Sequence, residues 1–297
     1  MTAASATDPT DSIRRIADVD PQRRFLITAD GRTLSYADLA TRTAQIAAAL
    51  ARLGVGVGDR VALQLEKSPE ALLLGLACLV MGAVLVPLNT AYTVAELDYF
   101  TGDAEPVLVV VQPAMREAVA PLAKQHCVAQ LETLGIANDG TLPALIAAAH
   151  AQSFTPIADD GDALAALLYT SGTTGLSKGA MITRRNLASN AVSLVEAWQL
   201  TAQDVLLHAL PIFHVHGLFI STNAILAAGA SLIFLPKFDA DEVLRRLPDA
   251  TLLMGVPTFY TRLLQCAGLN REATKTMRLF VSGSAPLLAE THREFEA

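Results

Sequence analysis

Helix-like and strand-like segments alternate in the first part of this 297-residue chain, and this alternation restricts the fold more than any other feature. Residues 33–54 have the alanine and leucine spacing of an amphipathic helix, residues 54–59 form a glycine-rich turn, and residues 60–65 have the composition of a strand. Neighbouring parallel strands need a crossover segment between them, usually a helix. The alternation therefore predicts a parallel or mixed sheet with helices on both faces.

The uncharged run Ala71–Leu88 reaches the lower length limit of a membrane-spanning helix. Gly75, Gly82 and Pro87 interrupt this run. A helix over 69–81, a stop at Gly82 and a short strand up to residue 89 account for it as one buried unit of a globular protein. The sequence thus predicts no stable membrane span.

The same patterns continue to the end of the chain. Strands are expected at 107–112, 163–170, 180–183, 204–211, 231–236, 250–257 and 277–283, and helices at 184–200, 217–228, 239–247 and 257–266. The alanine-rich stretch 113–160 ends in a Pro-, Asp- and Gly-containing surface connection, which indicates a subdomain boundary near 160.

The predicted fold class is α/β, with stacked parallel or mixed sheets and helices between and outside them. We expect a flexible N-terminus over 1–21, a first α/β subdomain over 22–160 and a second over 161–297. The chain ends in a helix-like segment without a stop signal, so we expect the second subdomain to be truncated.

Composition excludes several classes of protein. Apolar residues make up 52% of the chain and charged residues 17%, which indicates a large buried interior. The net charge is -7 and basic residues are not clustered with aromatics, so nucleic-acid binding is not expected. Three widely spaced cysteines and an acidic N-terminus without an apolar core segment favour a cytoplasmic protein with reduced thiols.

A polar loop follows the strand at 163–170 and carries the groups that bind phosphate. The six residues from Thr170 to Gly175 are four hydroxyl residues and two glycines, and Lys178 comes three positions later. Glycines permit close approach of the backbone, hydroxyls and amides donate to anionic oxygens, and the lysine adds a positive charge. The loop therefore predicts a phosphate site, against the alternative of a solvated turn.

Three better-known glycine motifs do not fit. A nucleotide-kinase loop needs the order Gly-Lys-Ser/Thr, but Lys178 precedes Gly179 here. The glycines at 54–59 precede a strand, whereas the dinucleotide fingerprint follows one. A hydrolase nucleophile elbow would make Ser177 the nucleophile at a direct strand-to-helix turn, but seven residues separate it from Tyr169 and a strand follows.

Four segments of the chain resemble, in order, those of the adenylate-forming superfamily, which includes acyl-CoA synthetases, luciferases and peptide-synthetase adenylation domains. They are VLVPLN at 84–89, LLYTSGTTGLSKGAMITRRN at 167–186, LPIFHVHG at 210–217 and VSGSAPL at 281–287. The resemblance covers nearly the whole chain from about residue 22. One departure is Arg184, where the family usually has histidine, and it lies outside the phosphate loop.

The resemblance implies a role for each matching residue. One set would cradle the β and γ phosphates of ATP: Thr170, Ser171, Gly172, Thr173, Thr174, Gly175 and Lys178. A second set would line the adenine pocket through backbone contacts: Gly283, Ser284, Ala285 and Pro286. His214 would lie beside the acyl carboxylate with Ser282 nearby, and His214 and Lys178 would act in catalysis because carboxylate attack on anionic ATP needs donors and cations. His214 and His216 also form an H-x-H pair, but no further His or Cys cluster supports a zinc site, and no metal site is expected within the chain.

The segments 210–219 and 254–264 resemble malonyl-CoA synthetases more than fatty-acyl enzymes. Within these segments Arg262 favours a dicarboxylic acid as the substrate, because a guanidinium can bind the distal carboxylate of such an acid bidentately. An exposed helical arginine remains the alternative. The predicted substrate is malonate or methylmalonate, with another short or medium acid left open.

The resemblance also implies parts that these 297 residues do not contain: a Tyr-Gly-x-Thr-Glu segment whose glutamate helps to hold Mg²⁺, a ribose-binding aspartate, a hinge and a mobile C-terminal domain with the catalytic lysine. The complete enzyme would be an AMP-forming acid–CoA ligase using ATP, Mg²⁺ and CoA, and the fragment alone would be inactive. The alternative from another class is a truncated, non-catalytic nucleotide-binding module.

Overall fold

The computed structural model of the chain describes residues 9–149, 161–170 and 177–297. The strands of these residues are β1 (Arg24–Thr28), β2 (Thr33–Ser35), β3 (Arg60–Gln64), β4 (Val84–Pro87), β5 (Leu108–Val111), β6 (Gln130–Thr133), β7 (Leu164–Thr170), β8 (Lys178–Thr183), β9 (Val205–His208), β10 (Ser231–Phe234), β11 (Leu252–Gly255) and β12 (Leu279–Ser282).

The helices are α1 (Pro9–Val19), α2 (Tyr36–Arg52), α3 (Pro69–Met81), α4 (Val94–Ala104), α5 (Arg116–Gln125), α6 (Leu142–Ala148), α7 (Arg184–Ala197), α8 (Thr222–Ala228), α9 (Ala240–Arg246), α10 (Pro257–Leu263) and α11 (Ala289–Glu296). Short 3-10 turns cover Pro113–Met115 and Leu247–Asp249, and a π-helical turn covers His216–Ser221.

The described strands form two six-stranded sheets. One has the order β6-β5-β3-β4-β7-β8 and the other the order β12-β11-β9-β10-β1-β2. Each sheet is parallel except at one edge, where β8 pairs antiparallel with β7 and β2 pairs antiparallel with β1. The predicted α/β class with mixed sheets and helices is therefore confirmed.

Each sheet belongs to one compact unit of the chain. Unit 1 consists of the described parts of 1–14 and 38–189, and unit 2 of 15–37 and the part from 190 to 297. These bounds differ from the predicted subdomains 22–160 and 161–297, because β7, β8 and the first part of α7 belong to unit 1 while β1 and β2 complete the sheet of unit 2.

Three local expectations are corrected. The expected flexible N-terminus contains α1, on which Ile13 and Ile16 are buried. The expected helix from residue 33 begins at Tyr36, because Thr33–Ser35 pairs with β1 as β2. No helix or strand was predicted for the alanine-rich stretch 113–160, but its described part contains α5, β6 and α6, with a proline, Pro121, inside α5. The surface connection expected at the end of this stretch lies largely outside the described residues.

The apolar run of unit 1 folds as the sequence predicts. The Ser68 side chain accepts a hydrogen bond from the Ala71 amide and caps α3, whose residues are buried on all sides. The helix ends at Gly82, which adopts φ 78°, a left-handed conformation that glycine enters without steric cost. The fully buried β4 follows. Within the described residues, no helix combines the length and apolarity that crossing a membrane requires.

In unit 2 a buried carboxylate joins the N-terminal ends of β9, β11 and β12. Asp204 accepts hydrogen bonds from Arg278 Nε and Nη2 at 2.7 and 2.6 Å, from the Thr251 hydroxyl at 2.8 Å and from the Thr201 amide at 2.7 Å. Burial by itself raises the pKa of Asp204, but the hydrogen bonds from Arg278, Thr201 and Thr251 outweigh it, and the pKa lies below its ordinary value of 3.8.

Candidate active site

The site residues predicted from the sequence are divided between the two units. Unit 1 carries Thr170 and Lys178. Unit 2 carries His214, Arg262, Ser282, Gly283, Ser284, Ala285 and Pro286. The remaining phosphate-loop positions, Ser171, Gly172, Thr173, Thr174 and Gly175, lie outside the described residues.

The described part of the phosphate site is at the open end of the β7–β8 pair. Thr170 is the last residue of β7 and Lys178 the first of β8, and the two are partners in the antiparallel register. Both are exposed. A hydroxyl and an ammonium group on facing residues can bind an anionic ligand at this end of the pair.

In unit 2 the candidate residues follow the C-terminal ends of three parallel strands. β9 ends at His208, β11 at Gly255 and β12 at Ser282, and these strands are neighbours in the sheet. The segment with His214 follows β9, the helix with Arg262 follows β11, and the 283–286 segment follows β12. Ligands of open α/β sheets bind at this edge.

The segment that follows β9 turns back sharply at Gly217. A Cβ atom added there would lie 2.2 Å from the carbonyl oxygen of Pro211, so only glycine fits. The Gly217 carbonyl is hydrogen-bonded to His208 Nε2 at 2.8 Å and to the Thr222 hydroxyl at 3.0 Å. The π-helical turn begins one residue earlier, and turns of this type are frequent at functional sites.

His214 lies on the exposed side of this turn. Its ring centroid is 4.6 Å from that of Phe213, and its carbonyl accepts the Leu218 amide at 2.9 Å. Desolvation lowers the pKa of His214 below 6.5, so its imidazole is neutral at pH 7. A neutral imidazole can donate a hydrogen bond to a carboxylate without forming an ion pair.

His216, which the sequence analysis did not assign to the site, connects two of its motifs. It is buried, and its Nδ1 lies 3.2 Å from the hydroxyl oxygen of Ser284. Its ring lies so close to Gly283 that an added Cβ would be 3.0 Å from Cε1. Burial lowers the pKa of His216. The described residues hold no cluster of three His, Cys, Asp or Glu side chains that could bind a metal ion.

The 283–286 segment has a constrained start. The Gly283 amide donates to the Gly255 carbonyl at 3.0 Å, and Ser284 adopts φ 66°, in the left-handed region. The Ser282 hydroxyl is buried and has no hydrogen-bond partner among the described residues. An unpaired buried hydroxyl is costly, so Ser282 is available to a polar ligand group.

Arg262 is exposed on α10, and its guanidinium is stacked on an aromatic pair. The guanidinium carbon lies 5.0 Å from the ring centroid of Phe238, which stacks on Phe259 at 3.9 Å. Stacking leaves the edge N–H groups of a guanidinium free to bind a carboxylate.

The chain is similar to known proteins over most of its length. The sequence model of the AMP-binding enzyme family matches residues 13–297. The mitochondrial malonate–CoA ligase ACSF3 of Mus musculus is 34% identical over 85% of this chain and 46% of its own length. The 4-coumarate–CoA ligase 5 of Oryza sativa subsp. japonica is 32% identical over 92% of this chain and 51% of its own. The crystal structure of ATP-bound MatB from Rhodopseudomonas palustris has a TM-score of 0.92 and 52% identity over 97% of this chain and 57% of that one. The chain thus spans about half the length of the curated relatives that it matches.

Proposed function

Because the chain belongs to the AMP-binding enzyme family, we propose that the complete protein activates malonate with ATP and transfers the acyl group to CoA. The acid carboxylate attacks the α-phosphorus of ATP, which gives an acyl-adenylate and pyrophosphate. The thiol of CoA then displaces AMP to form the thioester. The chain supplies part of the phosphate and acid sites, and the 297 residues alone do not complete the reaction.

The phosphate site reduces the repulsion between the two anionic reactants. Lys178 and Thr170, which face each other across the β7–β8 pair, bind the leaving phosphates. A positive charge and a hydroxyl donor that are positioned before reaction stabilise the charge that develops on pyrophosphate. Mg²⁺ bound to ATP would add to this stabilisation, and the resemblance implies that its protein ligand is in a segment that these 297 residues do not contain.

His214 orients the acid. Its lowered pKa keeps the imidazole neutral at pH 7, so it donates one hydrogen bond to the carboxylate. A protonated histidine would hold the carboxylate more strongly and reduce its nucleophilicity toward the α-phosphorus. The neutral form therefore suits a group that positions the nucleophile.

The choice of malonate rests on Arg262, which lies on α10, the helix that follows β11. Its guanidinium is exposed and is stacked on the ring of Phe238. Malonate has a second carboxylate that needs a cation, whereas a fatty acid does not. The names of the malonate–CoA ligase relatives support this choice. A different acid is the second candidate, because 4-coumarate–CoA ligase 5 matches the chain at similar identity.

The substitution Arg262→Leu in the complete protein tests the choice of substrate. Loss of the cation strands the distal carboxylate of malonate at a cost of about 2–5 kcal/mol, which corresponds to a fall in kcat/KM of roughly 30- to 4,000-fold. Butyrate has no distal charge, so its kcat/KM should stay constant or rise. The kcat/KM ratio of the two acids is the measurement.

Arg245→Leu is the matched control, because Arg245 pairs with Glu242 on the exposed face of α9. It should leave the ratio of the two acids unchanged. An equal fall for malonate and butyrate in Arg262→Leu would mean that Arg262 is structural, and the malonate assignment would lose its support.

A further inference from the structure

Helix α4 of unit 1 presents two polar side chains, four residues apart, to the β7–β8 pair. Tyr99 donates a hydrogen bond from its hydroxyl to the Ser177 carbonyl at 2.7 Å. Asp103 accepts a hydrogen bond from the Tyr169 hydroxyl at 2.6 Å. Residues four apart lie on the same face of a helix, so one face of α4 contacts both strands.

These contacts fall next to the two described residues of the phosphate site. Tyr169 immediately precedes Thr170 at the end of β7, and Ser177 immediately precedes Lys178 at the start of β8. Thr170 and Lys178 are themselves paired in register. Helix α4 therefore contacts both sides of the open end, through the Tyr169 side chain on β7 and through the Ser177 carbonyl just before β8.

The start of α4 is held firmly enough to act as a support. The Thr93 side chain and the Glu96 side chain form a reciprocal capping box at its first turn. Just before it, Gln64 Nε2 at the end of β3 donates to the carbonyl oxygens of Asn89 and Tyr92 at 3.1 and 2.9 Å.

The middle of α4 is anchored by aromatic packing. Phe100 is 3% exposed, and its ring centroid lies 4.5 Å from that of Tyr169 and 4.7 Å from that of Tyr92. Gly179, which pairs with Tyr169, lies over the Tyr169 ring, and a Cβ added at Gly179 would be 3.5 Å from the carbons of that ring. Burial and the Asp103 carboxylate raise the pKa of Tyr169, so its hydroxyl remains a donor at neutral pH.

We propose that Tyr99 and Asp103 are positioning residues, which hold the strand ends bearing Thr170 and Lys178 in the geometry that binds the phosphates of ATP. The assignment rests on the proposed function for the ATP step. It implies that α4, which is remote in sequence from the phosphate loop, also contributes to the affinity for the nucleotide.

The test compares Tyr99→Phe/Asp103→Asn with Asp98→Asn in the complete protein. Asp98 lies on the same helix but contacts His126 Nε2, just after the end of α5, at 2.7 Å, so its substitution makes the same change of charge without touching the strand pair. Tyr99→Phe alone keeps the ring that packs on Phe100 and serves if the double variant is unstable. The readouts are amide hydrogen exchange of peptides covering 161–183 and the KM values for ATP and malonate.

Loss of the two hydrogen bonds should speed exchange in these peptides about five- to tenfold and raise KM for ATP about tenfold, while KM for malonate changes less than about twofold. Asp98→Asn should change none of these quantities. If Tyr99 and Asp103 had only a structural role, their substitution would lower kcat or the yield of protein, and the KM for ATP would not change more than the KM for malonate. Unchanged exchange, or equal changes in both KM values, would overturn the proposal.

The proposed function can be wrong while the positioning role of Tyr99 and Asp103 is still correct. If the wild-type protein shows no ATP-dependent activation of any acid, exchange alone decides whether α4 holds the strand ends. Faster exchange in the double variant but not in Asp98→Asn would then support the positioning role, and equal exchange would refute it.

Discussion

Replacing Gly217 by alanine should destabilise unit 2 and disturb the acid site together. The new Cβ would lie 2.2 Å from the Pro211 carbonyl oxygen, where ordinary contact begins at 3.4 Å. The obstructing atom belongs to the backbone, so the turn must open by about an ångström. That movement displaces the Gly217 carbonyl from the side chains of His208 and Thr222.

The expected loss of stability follows from these contacts. Overpacking a closely packed site costs about 1–3 kcal/mol. Weakening two hydrogen bonds that each contribute about 1 kcal/mol brings the expected loss to about 3 kcal/mol. With a urea slope of about 2 kcal/mol/M, the unfolding midpoint should fall by about 1.5 M.

Tryptophan fluorescence during urea unfolding of the 297-residue chain measures this loss. Trp198 is the single tryptophan of the chain and lies in unit 2, where its carbonyl accepts a hydrogen bond from Arg278. Gly268→Ala is the matched control, since the nearest atom to its new Cβ is the flexible end of Leu244. The control should shift the midpoint by less than about 0.3 M.

The catalytic consequence is measured in the complete protein. Because His214 is three residues from Gly217, opening the turn should lower kcat/KM for the acid by about a hundredfold, as expected for an ångström of misplacement. Equal midpoints for Gly217→Ala and the wild type would refute the steric argument. An unchanged kcat/KM would show that the turn at Gly217 does not position the acid site.

Two further predictions concern charge. Asp204→Asn should lower the stability of unit 2 by about 2–4 kcal/mol at pH 7, because it breaks the ion pair of a buried carboxylate with Arg278, whereas Glu272→Gln on the surface should cost about 0–1 kcal/mol. Since the folded pKa of Asp204 is lowered, its contribution is present above pH 3.8 and is lost as pH falls through the folded pKa. The urea midpoints of the wild type and Asp204→Asn should therefore begin to converge only below pH 3.8, and a constant gap would contradict the argument. Lys178→Ala in the complete protein should slow acid-dependent exchange of pyrophosphate into ATP about ten- to thousandfold, and an unchanged rate would remove Lys178 from the phosphate site.

Local signals in the sequence were sufficient for part of the fold. Pro69 and Gly82 bound α3 as the pattern predicts, and the strand after it is β4. The predicted β7 and β8 also form. In contrast, Thr33–Ser35 became a strand because it pairs with β1, a contact that no local pattern in the sequence encodes. Helix α5 was not predicted either; it contains Pro121, whose helix-breaking effect is offset by the burial of Val119 and Leu122.

The candidate site was predictable only where the residues form a continuous motif. Lys178 and His214 were predicted as site residues because each lies in a segment with a recognisable pattern. His216 was missed because its contact with Ser284 joins positions 68 residues apart. Tyr99 contacts a residue 78 positions away, so its relation to the phosphate site follows from the packing of α4.

The proposed conversion of malonate, ATP and CoA to a thioester through an acyl-adenylate can be measured by identifying the products. The complete protein is incubated with ATP, Mg²⁺, CoA and an equal mixture of malonate, 4-coumarate and butyrate, and the products are identified by mass spectrometry. We expect malonyl-CoA as the main thioester, with AMP and pyrophosphate formed in equal amounts. Release of ADP, or a thioester of 4-coumarate or butyrate in place of malonate, would contradict it.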